Sequence, residues 1–418
     1  MNKKNRLHRF ISIVLVIVIV LSTCILLSSL AYSYSESNYE EAGYNFLLAQ
    51  YDLRNIEYSS LTKEHSINLY DNNENVVAKM MIVNRDDKID YVVLDFMIDR
   101  VDEFGFDQNN FVEKFKGKDK IYYAGALNYA YYDNGILKDI EGNSIDEITY
   151  FEIMETFVSY AHTLPNQTSG YAGFDSWTNI RNNANNLPTS TGYGGSVTNS
   201  SWSYIPGITV NGVANGLDFQ SQTTLNNNYN KAFGKSITGT CAATAITNMF
   251  IYYEYRGFNN ALLNNNIDYT FDSALTEIDW FNWNDINWWF KTVSGLESLA
   301  TQAGYDYTLN QYIILNWNNV VKSIDDDIPI FTYIGVDLTN GGYFAHAIVT
   351  VGYEEFTHKY TTTEEYWLFG WKEREVENED VYRYLRVIDG WGTSNQSRYI
   401  DFNGFYSTVM GIAFMLEE

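Results

Sequence analysis

Cysteine is almost missing from this chain: 418 residues hold two, Cys24 and Cys241. Cys24 lies inside an apolar N-terminal run and cannot pair with Cys241, so the body of the chain has one thiol and no disulfide. Histidine is scarce and scattered, five in all, which leaves no cluster at metal-ligand spacing; no metal or cofactor is expected. No phosphate-cradling glycine-rich loop precedes a helix. Basic side chains are outnumbered, 27 Lys and Arg against 52 Asp and Glu, for a net charge of -25. A field of that sign repels nucleic acid and anionic lipid, so neither is an expected partner. Charged residues make up only 19%, below the usual quarter; Asn, Ser, Thr, Gly and Tyr supply the rest of the polar surface, as suits a secreted or cell-surface protein. What is plentiful is apolar and aromatic: 45% and 17%, enough for a large core spread over two or three domains.

The N-terminus reads as an export segment. Lys3, Lys4, Arg6 and Arg9 precede a stretch from Phe10 to Tyr32 without charge, in which Ile13–Leu21 is all Ile, Val and Leu. Residues 1–32 therefore form a signal peptide or, if uncleaved, a membrane anchor through residues 10–32. Either places the remainder outside the cytoplasm, secreted or held at the cell surface. A thiol kept in that oxidising setting needs a reason.

Residues 33–163 read as a small α+β domain, a candidate propeptide. Ser37-Asn38-Tyr39-Glu40 is a capping box that opens a helix to about Ile56. Strands follow at Ser66–Tyr70, Val76–Val83 and Tyr91–Ile98. Asn134-Gly135 between apolar runs marks a hairpin, and a second helix starts near Ser144. From 164 to 203 the composition turns to Asn, Gly, Ser and Thr, the signature of a polar linker, where processing of a zymogen is expected. Residues 204–418 begin helical, with Thr240 onward, Asn259–Leu299 and Asn316–Asp325. They end in strands at Ile328–Ile334, Ala347–Tyr353, Tyr366–Trp371, Tyr382–Ile388, Arg398–Phe402 and Thr408–Phe414.

Gly239-Thr240-Cys241 puts the lone thiol at a helix start, where first-turn N–H groups and the dipole favour the thiolate. Small residues after it let another element pack closely. A thiol nucleophile needs a base, and His346 opens an apolar strand where a polar imidazole faces a cleft. Asp389 ends the strand Leu385–Ile388 and is placed to orient that imidazole, with Trp391 shielding their hydrogen bond from water.

The order Cys, His, Asp resembles that of papain-like cysteine peptidases, particularly the streptopain-like and bacteriocin-processing bacterial branches. Carrying the resemblance are the Gly-x-Cys helix start, Ile324-Asp325 leading to Ile328-Pro329, the strand from His346 to Gly352-Tyr353, and Asp389 before Trp391-Gly392. It spans about Tyr204–Glu418 and implies a helical half followed by an antiparallel sheet half, hydrolysis of peptide bonds and a protein or peptide substrate. The family's oxyanion-donating Gln, six residues before the cysteine, is Lys235 here. Asn230, Gln220 and Gln222 are the substitutes, Asn230 being preferred. Losing such a donor costs on the order of 10²–10³ in rate. His346 and Asp389 are also farther apart than usual, which implies a long hairpin at about Glu354–Asp380. Two other readings share these residues: a transglutaminase-like acyltransferase, and a non-catalytic surface binding protein on a papain-like fold.

Overall fold

The computed structural model describes residues 36–96, 100–148, 150–152, 154–155, 195–209, 212–214, 216–234, 237, 239–279, 288–336, 346–367, 371–391, 398–402 and 408–417. The expected export segment 1–32 and residues 164–194 of the expected linker lie outside them. No helix among the described residues is long and apolar enough to cross a membrane. Residues 1–41 group separately, described only at the start of helix α1 (Glu36–Arg54); residues 42–418 form one compact unit.

Strands β1 (Leu61–Lys63), β2 (Ile67–Tyr70), β3 (Val76–Arg85), β4 (Lys88–Asp95) and β5 (Arg100–Gly105) come first. Helix α2 (Asn109–Glu113) and strands β6 (Ile121–Tyr123), β7 (Tyr129–Asp133) and β8 (Ile136–Asp139) follow. The run Val76–Val83 is nearly continuous in apolar residues because β3 is buried on both faces. Asn134 and Gly135 take φ of 51° and 78°, the two positive values that a tight β7–β8 turn requires.

The second half contains β9 (Gly195–Tyr204), β10 (Ile208–Thr209), β11 (Gly212–Val213) and helices α3 (Gln222–Phe233), α4 (Cys241–Tyr255), α5 (Ile267–Glu277) and α6 (Trp288–Ala303). It continues with β12 (Asp306–Tyr312), α7 (Trp317–Asp325), β13 (Ile330–Val336), β14 (His346–Trp367), β15 (Trp371–Ile388), β16 (Arg398–Asp401) and β17 (Thr408–Glu417). Helix α4 is buried from Ala242 to Tyr253, mostly apolar, and runs through the core against β13 and β14. The expected long hairpin is β14–β15, paired from Val349 with Ile388 out to Trp367 with Trp371.

Two findings revise the expected organisation. Residues 195–203 are not linker: they are strand β9, paired with β14 from Gly352–Tyr204 to Tyr360–Gly195. Their Ser and Asn content reads as loop, and only the partner strand explains the extended backbone. Second, the strands of both halves share one sheet, in the order β12-β17-β13-β14-β15-β16-β5-β4-β3-β2-β6-β7-β8. The junction is β16, paired with β15 on one side and β5 on the other, where the Tyr399 and Phe104 rings stack 4.6 Å apart.

A buried ion pair reinforces that junction. Arg54, at the end of α1, pairs with Glu354 of β14 with no exposed side-chain surface on either partner. Tyr204 donates its hydroxyl to the same carboxylate, and the guanidinium lies 4.9 Å from the Tyr399 ring centroid. Removing one member of such a pair strands a desolvated charge. Arg54→Met is expected to lower the unfolding free energy by about 3–5 kcal/mol, and adding Glu354→Leu to restore most of it. Urea denaturation reads both; a single-variant loss of under about 1 kcal/mol, the level of an exposed pair, would contradict the assignment.

Candidate active site

Gly239, at φ 68°, turns the chain through a left-handed conformation into α4, so that Cys241 is its first residue. Thr240, the expected N-cap, makes no side-chain cap to the helix. Its hydroxyl donates instead to Asn226 Oδ1 of α3, 2.6 Å away. The small residues Ala242, Ala243 and Ala245 let β14 pack against the first turns of α4. The backbone N–H groups of Ala347, Ala242 and Cys241 itself all hydrogen-bond toward the thiol, which sets the first two residues of β14, His346 and Ala347, over the helix start.

His346 is 3% exposed. Its Nε2 lies 2.6 Å from the main-chain carbonyl oxygen of Asp389, and its ring stacks on Trp391 with centroids 4.2 Å apart. A carbonyl only accepts, so Nε2 carries the hydrogen and Nδ1 is left as the proton acceptor of the neutral ring. Trp391 shields the contact as expected. Asp389 is at the imidazole as expected too, but it is the carbonyl, not the carboxylate, that meets the ring. The Asp389 carboxylate is committed elsewhere: Oδ1 accepts the Trp391 N–H at 2.8 Å, and Oδ2 forms an ion pair with Arg398 at 2.6 Å. Gly390 between them has φ 74°, and a Cβ there would sit 3.2 Å from Thr244 Cγ2, one turn after the cysteine. The Gly390 carbonyl accepts the Gln222 N–H at 2.8 Å, docking the start of α3 on the same turn.

The thiolate expectation needs correction. The protein packed around Cys241 pushes its thiol up to about 11, although the residue keeps part of its surface. The three N–H groups act the other way, as a helix start should, but desolvation outweighs them. A nearby negative charge, Asp139 of β8, opposes the thiolate further. Burial also drives His346 down to about 4; the Asp389 hydrogen bond resists this and the Arg398 charge assists it. Both effects favour the uncharged forms, thiol and neutral imidazole.

Asn230 lies on α3, with its Oδ1 accepting the Ile237 N–H at 3.1 Å on the connection to Cys241. Gln220 is tied to Asn248, its N–H donating to Oδ1 at 2.8 Å. Lys235 lies outside the described residues. Arg398 was missed in the sequence. It reads there as an ordinary strand residue, and nothing local signals that it reaches Asp389.

A model described as the Peptidase_C39-like family matches residues 215–387, which include Cys241 and His346 and stop short of Asp389. This similarity supports a papain-like cysteine peptidase, acting on a protein or peptide, and the helices before an antiparallel sheet fit a papain-like α+β fold. It supports neither the streptopain-like nor the bacteriocin-processing branch, and it does not favour the acyltransferase or binding readings. No curated protein matches the chain, and no solved structure does.

A neutral resting pair has a measurable consequence. The rate of iodoacetamide labelling of Cys241 should climb steadily between about pH 6 and 9, because the thiolate forms only as pH approaches a raised pKa. A rate already level across that range in wild type, and lost in His346→Ala, would show an ion pair instead.

Proposed function

We propose that the chain is an exported cysteine peptidase that hydrolyses peptide bonds with Cys241 as nucleophile and His346 as base. The observation carrying this reading is the fixed tautomer of His346. The Asp389 carbonyl takes Nε2–H, which leaves Nδ1 to receive a proton, on a residue whose neighbour Ala347 touches the thiol. Because the pair rests neutral, His346 acts as a general base during attack rather than as a preformed imidazolium. Cys241 Sγ attacks the scissile carbonyl as its proton passes to His346. The imidazolium then protonates the departing amine, and water, deprotonated by the same ring, hydrolyses the thioester.

Asp389 is the orienting residue of this Cys-His-Asp set, through its main chain. The Cys241 N–H at the start of α4 is one oxyanion donor. Asn230 is the proposed second, through Nδ2, since Oδ1 is committed to Ile237. The apolar residues 10–32 after a basic start support export, with the mature chain secreted or anchored at the cell surface.

In a quenched-fluorescent peptide library, Cys241→Ala and His346→Ala are each expected to lower kcat/KM by about 10³-fold or more. Asp389→Asn, which keeps the main-chain carbonyl, is expected to lose far less than either. Equal cleavage by wild type and Cys241→Ala would refute the peptidase assignment.

A further inference from the structure

Arg398 is fully buried and grips the 389–391 turn at both ends. One guanidinium nitrogen pairs with Asp389 Oδ2 at 2.6 Å, and the other donates to the Trp391 carbonyl at 3.1 Å. That turn supplies both restraints on His346, the Asp389 carbonyl and the Trp391 ring. Arg398 itself is seated by the N-terminal half. Its Nε donates to Gln108 Oε1 at 3.3 Å, and its guanidinium carbon lies 3.5 Å from the centroid of the Phe111 ring on α2. The carboxylate of Glu103 on β5 acts on it as well, itself held by the Tyr91 and Tyr129 hydroxyls and the Leu127 N–H.

We propose that Arg398, seated by Gln108 and Phe111, is a positioning residue for His346, and that the N-terminal half is therefore a standing part of the active site rather than a propeptide to be removed. This rests on the peptidase reading of Cys241 and His346. A planar fork that pairs with a carboxylate and donates to a carbonyl at once fixes a turn in a way that an apolar residue does not. Filling the space needs no charge, and burying one is costly, so the guanidinium is explained by what it holds. Burial is the main influence against protonation of the imidazole, and the Arg398 charge adds to it. The other groups around this centre are the Asp389 carboxylate and the Cys241 thiol, with Lys114 and Glu141 acting on Asp389 and Asp139 acting on Cys241. Apart from the thiol and Asp389, these too come from the N-terminal half.

The test uses the full chain with ¹⁵N-labelled histidine. In wild type His346 should hold the Nε2–H tautomer and titrate well below an ordinary histidine. Arg398→Met should raise that midpoint by a few tenths of a unit and mix the tautomers. Arg398→Lys should keep the midpoint closer to wild type while still mixing them. Phe111→Leu and Gln108→Ala, which alter only the seat, should mix the tautomers and lower kcat on the peptide library about tenfold with KM nearly unchanged. These two carry the test if the Arg398 variants do not fold. The proposal is overturned if folded variants keep the wild-type tautomer, midpoint and kcat. Because the histidine signals need no turnover, a wild type that cleaves nothing refutes the peptidase reading while the positioning claim is still decided by the spectra.

Discussion

A guanidinium shut away from water has to be surrounded by partners, and in this protein the partners of Arg398 are the 389–391 turn on one side and the N-terminal half on the other. Strand β16 is short, four residues, yet it holds β15 to β5 and directs Arg398 inward between them. The turn beside His346 is downstream of that arrangement. The turn 389–391 fixes the imidazole, and the same turn receives the start of α3 and packs on the second turn of α4. An ion pair in this place adds little net stability over an apolar filling of the same volume. What it adds is a single geometry.

Burial and the helix start compete over the thiol, and magnitudes decide the outcome. The favourable effect of a helix terminus is on the order of 0.3–1 kcal/mol, up to about 2 in partly buried sites. One pKa unit is about 1.4 kcal/mol, and enclosing an anion displaces its pKa by several units unless a cation answers it. No imidazolium answers it here, because His346 is itself enclosed and faces Arg398. The two shifts follow from one cause, the exclusion of water around both groups, and they push the pair to the uncharged state together.

Local sequence was a good guide wherever structure depends on local backbone chemistry. The turn at Asn134-Gly135, the entry to α4 at Gly239-Thr240-Cys241 and the β14–β15 ribbon all follow from residues close in sequence. The contact between His346 and Asp389 was also legible, since each sits at an element end with a chemical reason to be there. Illegible was everything set by partners far along the chain. Strand β9 looks like linker until β14 lies beside it, β5 has no periodic signature of its own, and Arg398 is anonymous without Gln108 and Phe111. The contact of Asp389 with His346 was misread in its atoms for the same reason. A carboxylate next to a histidine suggests a side-chain bond, and only the competing claim of Arg398 turns it away and leaves the carbonyl for the ring.

The shared sheet also constrains how such a protein is switched on. A removable inhibitory segment covers a site that is complete without it, so its release exposes a working centre. Here the N-terminal half contributes β5 to the sheet, Gln108 and Phe111 to the seat of Arg398, and Arg54 to a buried pair with β14. Cutting the chain between the halves leaves those contacts in place, because a β ladder and buried ion pairs hold without a covalent link. Pulling the halves apart exposes an unpaired guanidinium and an open strand edge on each side of the break. Loss of the N-terminal half would thus remove the support of the turn that contacts His346.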